Sequence, residues 1–185
     1  MRLLQHQMSQ LLIIDIQDKV LGLIQNRAEI ITKAGLLIQS AKLLRVPIIV
    51  TELSPKEHGH LAAPIKTLLG GDTALFEKLH FSAMHNERLR DTLETHRDHG
   101  RGQIVVAGIE AHVGVAQTTL DLINEGFESY VVADAIGSRA PSSRDIALRR
   151  LERSGAFLAD TEMVIFEWLE KTGTPEYKSL SALLK

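Results

Sequence analysis

Short apolar runs rich in β-branched residues alternate along the chain with longer stretches in which apolar residues recur every three or four positions. The short runs predict strands, and the longer stretches predict amphipathic helices. Strands that alternate with helices in this way are typical of βαβ units, whose strands are parallel and buried on both faces. The pattern therefore predicts an α/β fold in three layers, with helices on both sides of a mostly parallel sheet.

The predicted elements divide the chain into six strands and six main helices. The predicted strands cover residues 10–16, 47–52, 74–77, 103–108, 129–134 and 156–159. The predicted helices cover residues 27–45, 86–96, 113–125, 143–154, 162–171 and 175–184. Residues 54–69 show no clear period and are expected to cross the sheet as a long excursion. Because no linker, repeat or low-complexity tract divides the chain, residues 1–185 are expected to form one domain.

The helix predicted over residues 143–154 has a local start signal. Ser142 stands three residues before Asp145, which is the spacing of a capping box. We therefore expect this pair to begin the helix. Ile146 and Leu151 are expected to form part of its inward face.

Composition and charge exclude several classes of protein. The 185 residues, of which 44% are hydrophobic, suffice for one sizeable core. A net charge of −2 provides no broad basic surface, so nucleic acid is not an expected partner. No apolar run approaches the roughly 20 residues that a bilayer requires and no signal peptide is recognisable, so we expect a cytoplasmic protein without a membrane partner. The absence of cysteine excludes disulfides, thiolate metal sites and cysteine nucleophiles.

Two charged residues interrupt or follow apolar strands. Asp15 lies in LLIIDIQ (residues 11–17), where a buried carboxylate would cost several kcal/mol unless a cation or several donors compensate it. Lys78 follows a short strand and is the best candidate cation. The carboxyl ends of parallel strands form the ligand crevice of such folds, which favours a functional pair. The alternatives are an aspartate that faces water or caps a turn, and a solvated lysine.

A third candidate is the segment VVAGIEAHVGV (residues 105–115), which passes from a strand through a turn into a helix. Such a turn directs backbone N–H groups at one point and suits a developing anion, although it is also compatible with an ordinary connection. Residues 134–139 either line the same crevice or tie a loop to the next helix.

The sequence contains little support for a metal or a nucleotide cofactor. His58 and His60 could offer two imidazoles to a metal, but no carboxylate follows at a helpful spacing, so no metal is expected. Neither a GxGxxG fingerprint nor a Walker A sequence occurs, and no cofactor is expected.

Taken together and in this order, these features resemble the isochorismatase-like (cysteine hydrolase) superfamily. The similar segments are LLIIDIQ (11–17), EKLHFSAM (77–84), VAGIEAHVGVAQTTLDL (106–122), VVADAIGSR (131–139) and TEMVIFEWL (161–169), which together extend over nearly the whole chain. The resemblance implies a Rossmann-like strand order, a hydrolase that acts on a small-molecule substrate without a metal, and a homo-oligomer.

The resemblance also implies roles for individual residues. Asp15 would be the general acid or base, and Lys78 its ionic partner. The backbone amides of Glu110 and Gly114 would form an oxyanion hole, with a cis peptide bond between Ile109 and Glu110. The nucleophilic cysteine of the family falls on Gly114, so no side chain there can form an acyl-enzyme.

Two interpretations of Gly114 are open. True isochorismatases of this superfamily also carry glycine there and cleave a vinyl ether by acid–base catalysis, so the chain can be a hydrolase without a nucleophile. The alternative is a catalytically silent member retained for ligand binding or oligomeric interactions. Glu110 stands where those enzymes have tyrosine, and a second anion disfavours a dicarboxylate such as isochorismate.

Overall fold

The computed structural model of the protein describes residues 3–71 and 73–184, which form a six-stranded sheet covered by helices. Its strands are β1 (Ser9–Ile14), β2 (Ile48–Leu53), β3 (Ala74–Lys78), β4 (Gln103–Ile109), β5 (Glu128–Gly137) and β6 (Phe157–Ala159). They are arranged in the order β3-β2-β1-β4-β5-β6, and each neighbouring pair is parallel. The predicted six-stranded, Rossmann-like α/β fold is confirmed.

Helices connect these strands and cover both faces of the sheet. They are α1 (Asp18–Leu21), α2 (Arg27–Leu43), α3 (Pro55–His58), α4 (Ala63–Leu69), α5 (Glu87–Asp98), α6 (Ala116–Asn124), α7 (Pro141–Arg153), α8 (Thr161–Leu169) and α9 (Pro175–Leu183). A 3-10 turn covers Ala83–His85, and a π-helical turn covers Ala111–Val115. Within the described part of the chain, no helix is both long enough and apolar enough to cross a membrane.

Successive side chains of each strand point to opposite faces of the sheet, and the core therefore has two layers. On one face, Leu11 and Ile13 of β1 pack in a cluster with residues of α2, α4 and α8. On the other face, Leu12 and Ile14 pack with residues of α5, α6 and α7. Both faces of β1 are therefore covered, which explains why this strand is apolar at successive positions.

Three local predictions were wrong. Residues 54–69 are not an irregular excursion, because they form α3 and α4. The side chain of Ser142 does not begin α7: the helix begins at Pro141, whose fixed φ suits the first helical turn, and no side chain caps it. Ile146 is 59% exposed rather than inward-facing, whereas Leu151 is buried as expected.

The crevice lies where the strand order reverses, between β1 and β4. Gly108 permits this close approach: its φ is +131°, and a Cβ there would lie 2.0 Å from the backbone oxygen of Ile14. Any side chain at position 108 would push the two strands apart at the crevice.

Candidate active site

Asp15 is the first residue after β1, at the carboxyl end of the central strand pair. Its backbone has a φ of +51° and its N–H donates to the Thr51 carbonyl at 3.2 Å. The Thr51 hydroxyl donates to Oδ1 of Asp15 at 2.6 Å, and Nζ of Lys78 donates to Oδ2 at 2.6 Å. Because each carboxylate oxygen has a donor, the side chain is held in one orientation.

Lys78 reaches Asp15 from the end of β3, across the intervening strand β2. Its side chain is 1% exposed, and that of Asp15 is 8% exposed. Besides Asp15, Nζ donates to the carbonyl oxygens of Phe81 at 3.0 Å and His80 at 3.3 Å. These three acceptors match the three N–H groups of an ammonium. The predicted ion pair is confirmed, while the catalytic roles of both residues stay predictions.

The protonation of Asp15 follows from its environment. Burial raises the pKa of Asp15 above its ordinary value of 3.8, and this effect outweighs the opposing effects of Lys78, Thr51 and His58. A carboxyl group with a raised pKa can hold a proton at a less acidic pH, which suits an acid–base catalyst.

The turn after β4 lies against the same carboxylate. The peptide bond between Ile109 and Glu110 is cis, as predicted. A Cβ at Gly114 would lie 3.2 Å from Oδ2 of Asp15, 3.3 Å from Cγ2 of Ile14 and 3.5 Å from the Phe81 carbonyl oxygen. Position 114 is therefore adjacent to the Asp15 carboxylate. The roles of the Glu110 and Gly114 amides as oxyanion donors stay predictions.

A cavity of about 310 Å³ opens above these residues. Its polar lining includes Asp15, Gln17, His58, Glu110 and Arg139, and the apolar lining comes from Val20, Leu23, Leu53, Phe81, Ile109 and Val113. A cavity of this size and composition suits one small organic molecule. A wider and more open cleft of about 530 Å³ adjoins β3, but Asp15 and Gly114 do not line it.

In the lining of the same cavity, Glu110 and Arg139 form a second ion pair that the sequence did not predict. Strand β5 continues to Gly137, three residues beyond its predicted end, and Gly137 pairs with Ile109 of β4. Arg139 therefore lies beside Glu110. Its Nε donates to Oε2 of Glu110 at 3.0 Å, and its backbone N–H donates to the same oxygen at 2.9 Å. The segment VVADAIGSR (131–139) includes Arg139, but no pattern in the sequence identified Glu110 as its partner.

The segment between β2 and α4 is held over the cavity by two buried polar side chains. Gln17 donates from Nε2 to the Leu53 and Gly59 carbonyls at 3.0 and 2.5 Å. Glu52 accepts from the Leu61 N–H at 2.7 Å and contacts Nδ1 of His60 at 3.2 Å. These contacts form the wall that carries His58.

The remaining candidates are His58, His60 and the segment 134–139. His60 pairs with Glu52 while His58 lines the cavity, and residues 3–71 and 73–184 contain no cluster of three or more histidine or acidic side chains that could hold a metal. Asp134 lies within β5 and connects this strand to the start of α8, because it accepts from the backbone N–H and hydroxyl of Thr161, and it pairs with Lys33. Thus only the Arg139 end of the segment 134–139 reaches the crevice.

A parallel sheet of this strand order, with a cavity at the reversal point, defines a Rossmann-like α/β protein whose candidate site lies at the carboxyl ends of its strands. Residues 9–163 match the isochorismatase domain. The chain belongs to the isochorismatase family, and this membership supports a hydrolase-like function.

Individual relatives cover most or all of the chain. The secreted isochorismatase effector Isc1 of Phytophthora sojae is 36% identical over 186 residues, with 100% of this chain and 87% of that protein covered. The MAR1 ribonuclease of Caenorhabditis elegans is 35% identical with a TM-score of 0.92, covering 99% of this chain and 92% of its own. YcaC of Escherichia coli, an octameric hydrolase of unknown specificity, is 24% identical with a TM-score of 0.88. The match covers 99% of this chain and 91% of YcaC, and it shows that the two proteins share a fold.

Proposed function

We propose that the protein hydrolyses a small molecule by acid–base chemistry from Asp15, with Lys78 as its electrostatic partner. One observation carries the proposal: the Asp15 carboxylate lines the small cavity while Lys78 and Thr51 hold it in a fixed orientation. A carboxyl group fixed in this way needs no reorientation when a proton is transferred.

The reaction proceeds without a covalent enzyme intermediate. Position 114 is glycine and the chain contains no cysteine, so the residue that would attack a carbonyl in thiol-dependent relatives is absent. Asp15 instead donates its proton to the leaving atom as the bond to that atom breaks. Water adds to the other fragment, and the proton that this water loses returns to Asp15. The amides of Glu110 and Gly114 stabilise negative charge that develops on the substrate.

A small metabolite is favoured over RNA, although one relative is named a ribonuclease. The net charge of −2 offers little attraction to a polyanion. The cavity of about 310 Å³ has room for one compact molecule.

The decisive experiment is a hydrolysis screen of the purified protein against esters, amides, enol ethers and a short RNA, each run beside Asp15→Asn. Asparagine preserves the shape of the side chain but cannot exchange the proton, so we expect turnover to fall by about 10²- to 10⁴-fold. Asp98→Asn changes an exposed aspartate at the end of α5 and is the matched control.

Each outcome of the screen is informative. Loss of turnover in Asp15→Asn but not in Asp98→Asn supports the proposal. Turnover that survives in Asp15→Asn contradicts it. Binding of a panel compound without any turnover favours the catalytically silent alternative. RNA cleavage that depends on Asp15 would contradict the choice of substrate.

We also propose a homo-oligomer in the cytoplasm. Leu75, Leu79 and Phe81, at and just beyond the edge strand β3, are 48%, 82% and 52% exposed, and a second copy could cover them. YcaC is octameric, whereas Isc1 is named a secreted protein. Light scattering of the purified protein tests the assembly, and cell fractionation tests the compartment.

A further inference from the structure

We propose that Arg139 binds the carboxylate of a singly charged substrate whose apolar body lies along the cavity wall and whose scissile bond faces Asp15. This assignment deepens the proposed function and depends on it in taking the cavity for the substrate site. Three observations carry it: the open guanidinium of Arg139, the saturated ammonium of Lys78, and the apolar side chains that line the same cavity as Arg139.

The guanidinium of Arg139 has hydrogen-bonding capacity that the protein leaves unused. Glu110 engages Nε through Oε2, and the two Nη groups of Arg139 have no acceptor within residues 3–71 and 73–184. The side chain is 58% exposed and lines the cavity. An arginine presents two parallel N–H groups to a carboxylate in a planar, bidentate contact.

Lys78 cannot serve as the anion-binding group. Its Nζ already donates to Asp15, His80 and Phe81, and its side chain is 1% exposed. Binding a substrate anion there would require breaking one of these contacts. Lys78 is not among the residues that line the cavity, and within the described residues Arg139 is the one lysine or arginine that does.

Glu110 acts as a support for this arginine. Its carboxylate is 8% exposed and is engaged by both the side chain and the backbone of Arg139. The charge that was expected to repel a dicarboxylate is thus paired, and it restrains the guanidinium beside the cavity. Because the guanidinium of Arg139 is the cation available in the site, it can pair with one carboxylate of a substrate, and a second carboxylate would lack a partner.

The rest of the lining defines the body of the substrate. Val20, Leu23, Leu53 and Phe81 form an apolar wall beside the two ion pairs. A phosphate monoester carries more charge and needs more donors than one guanidinium supplies, so a carboxylate fits this site better. The expected substrate class is a small monocarboxylate with an aliphatic or aromatic body.

The test measures binding by ligand-observed NMR titration, with phenylacetate, phenylacetamide and phenyl phosphate as probes. The Asp15→Asn protein is used beside the natural chain, so the measurement does not depend on turnover. We expect phenylacetate to bind at least 10-fold more tightly than phenylacetamide, because only the acid engages the guanidinium as an ion pair.

Variants at position 139 locate the contact. Arg139→Gln should weaken phenylacetate binding by about 10- to 100-fold and leave phenylacetamide binding nearly unchanged. Arg139→Lys keeps the charge but loses the fork, and should weaken phenylacetate binding several-fold. Arg149→Gln removes an exposed arginine of α7 and should change neither. If Arg139→Gln does not fold, the comparison of Arg139→Lys with the natural chain decides the question.

Equal binding of phenylacetate and phenylacetamide overturns the inference, as does phenylacetate binding that both variants retain in full. Tighter, Arg139-dependent binding of phenyl phosphate overturns the choice of a carboxylate. Hydrolysis that requires Asp15 but shows no preference for acids leaves the proposed function standing and removes this inference. If the protein binds acids through Arg139 but hydrolyses no compound, the assignment of Arg139 stands and the proposed hydrolase function is removed.

Discussion

The two ion pairs of the cavity differ in how much of their hydrogen-bonding capacity the protein itself uses. In the Asp15–Lys78 pair, all three ammonium N–H groups and both carboxylate oxygens have partners from the chain. In the Glu110–Arg139 pair, the carboxylate is buried but the guanidinium is 58% exposed and offers its outer nitrogens to the cavity.

In the function that we propose, this difference separates two tasks that charged side chains perform in one site. A saturated and buried pair keeps a reactive group in place, and its loss affects both stability and protonation. A half-open pair restrains a binding group while it remains available to a ligand. Substitutions at the two pairs should therefore differ in their effect on stability, in their pH dependence and in their response to salt.

The largest expected effect is at Lys78. Lys78→Met leaves the Asp15 carboxylate buried without its cation, and we expect the free energy of unfolding at pH 7 to fall by about 3–5 kcal/mol. Urea denaturation measures this change. Adding Asp15→Asn to Lys78→Met should recover much of the loss, because no charge remains buried. Lys66→Met alters an exposed lysine of α4 and should change the value by about 0.5 kcal/mol or less.

The loss of stability in Lys78→Met should depend on pH in a defined direction. Because the folded pKa of Asp15 is raised above its unfolded value, the stability that this group contributes is complete below about pH 3.9 and is lost as the pH rises through the folded pKa. Lys78→Met raises that pKa further, since it removes the positive charge. The deficit of the variant should therefore shrink as the pH is lowered from neutral towards 4, and a deficit that grows would contradict the assignment.

A smaller effect is expected at Thr51. Thr51→Val removes the donor to Oδ1 of Asp15, and a hydrogen bond to a charged group contributes about 1.5–3 kcal/mol to stability. Loss of this bond also disfavours the ionised form, so the limb of the pH–rate profile that reports Asp15 should move to higher pH. Thr51→Ser keeps the hydroxyl and should keep the natural profile. An unchanged profile in Thr51→Val would mean that this contact does not tune Asp15.

The smallest effect on stability is expected at Arg139. Arg139→Gln removes a half-exposed partner, while the backbone N–H at position 139 still donates to Glu110, so we expect a loss of about 1 kcal/mol. Raising NaCl from 0.05 to 1 M should reduce this loss but hardly affect that of Lys78→Met, because salt screens exposed charges more than buried ones. An equal salt response of the two variants would remove the distinction between the pairs.

The sequence predicted the buried pair well and the open pair poorly, and strand length explains both results. Asp15 follows directly on an apolar run and Lys78 follows a short predicted strand, so the rule that strand ends meet at one edge was enough to bring them together. Arg139 lies beyond a strand whose predicted end was residue 134. The ladder between β4 and β5 shifts register between Val106 and Gly108 and then continues to Gly137. Such an irregularity has no signature in the hydrophobic period.

The short helices between β2 and β3 escaped prediction for a different reason. The four residues of α3 and the seven of α4 are too few to show a helical period or to be stable alone. Their position depends on distant partners, since Gln17 binds the carbonyls of Leu53 and Gly59. Contacts between residues so far apart in the chain cannot be predicted from the local sequence.

The position of Lys78 on the edge strand connects the site to the local opening of the fold. Strand β3 lies at the edge of the sheet beside β2, and of its five residues two are half-buried, two are exposed and one, Lys78, is buried. Edge strands with such partial burial open more often than central ones, on a timescale that amide hydrogen exchange detects. Each opening would carry Lys78 away from Asp15, 63 residues earlier in the chain. The time for which Lys78 and Asp15 stay paired thus depends on how often the edge strand β3 opens. The position of Asp15 depends instead on the central strand β1.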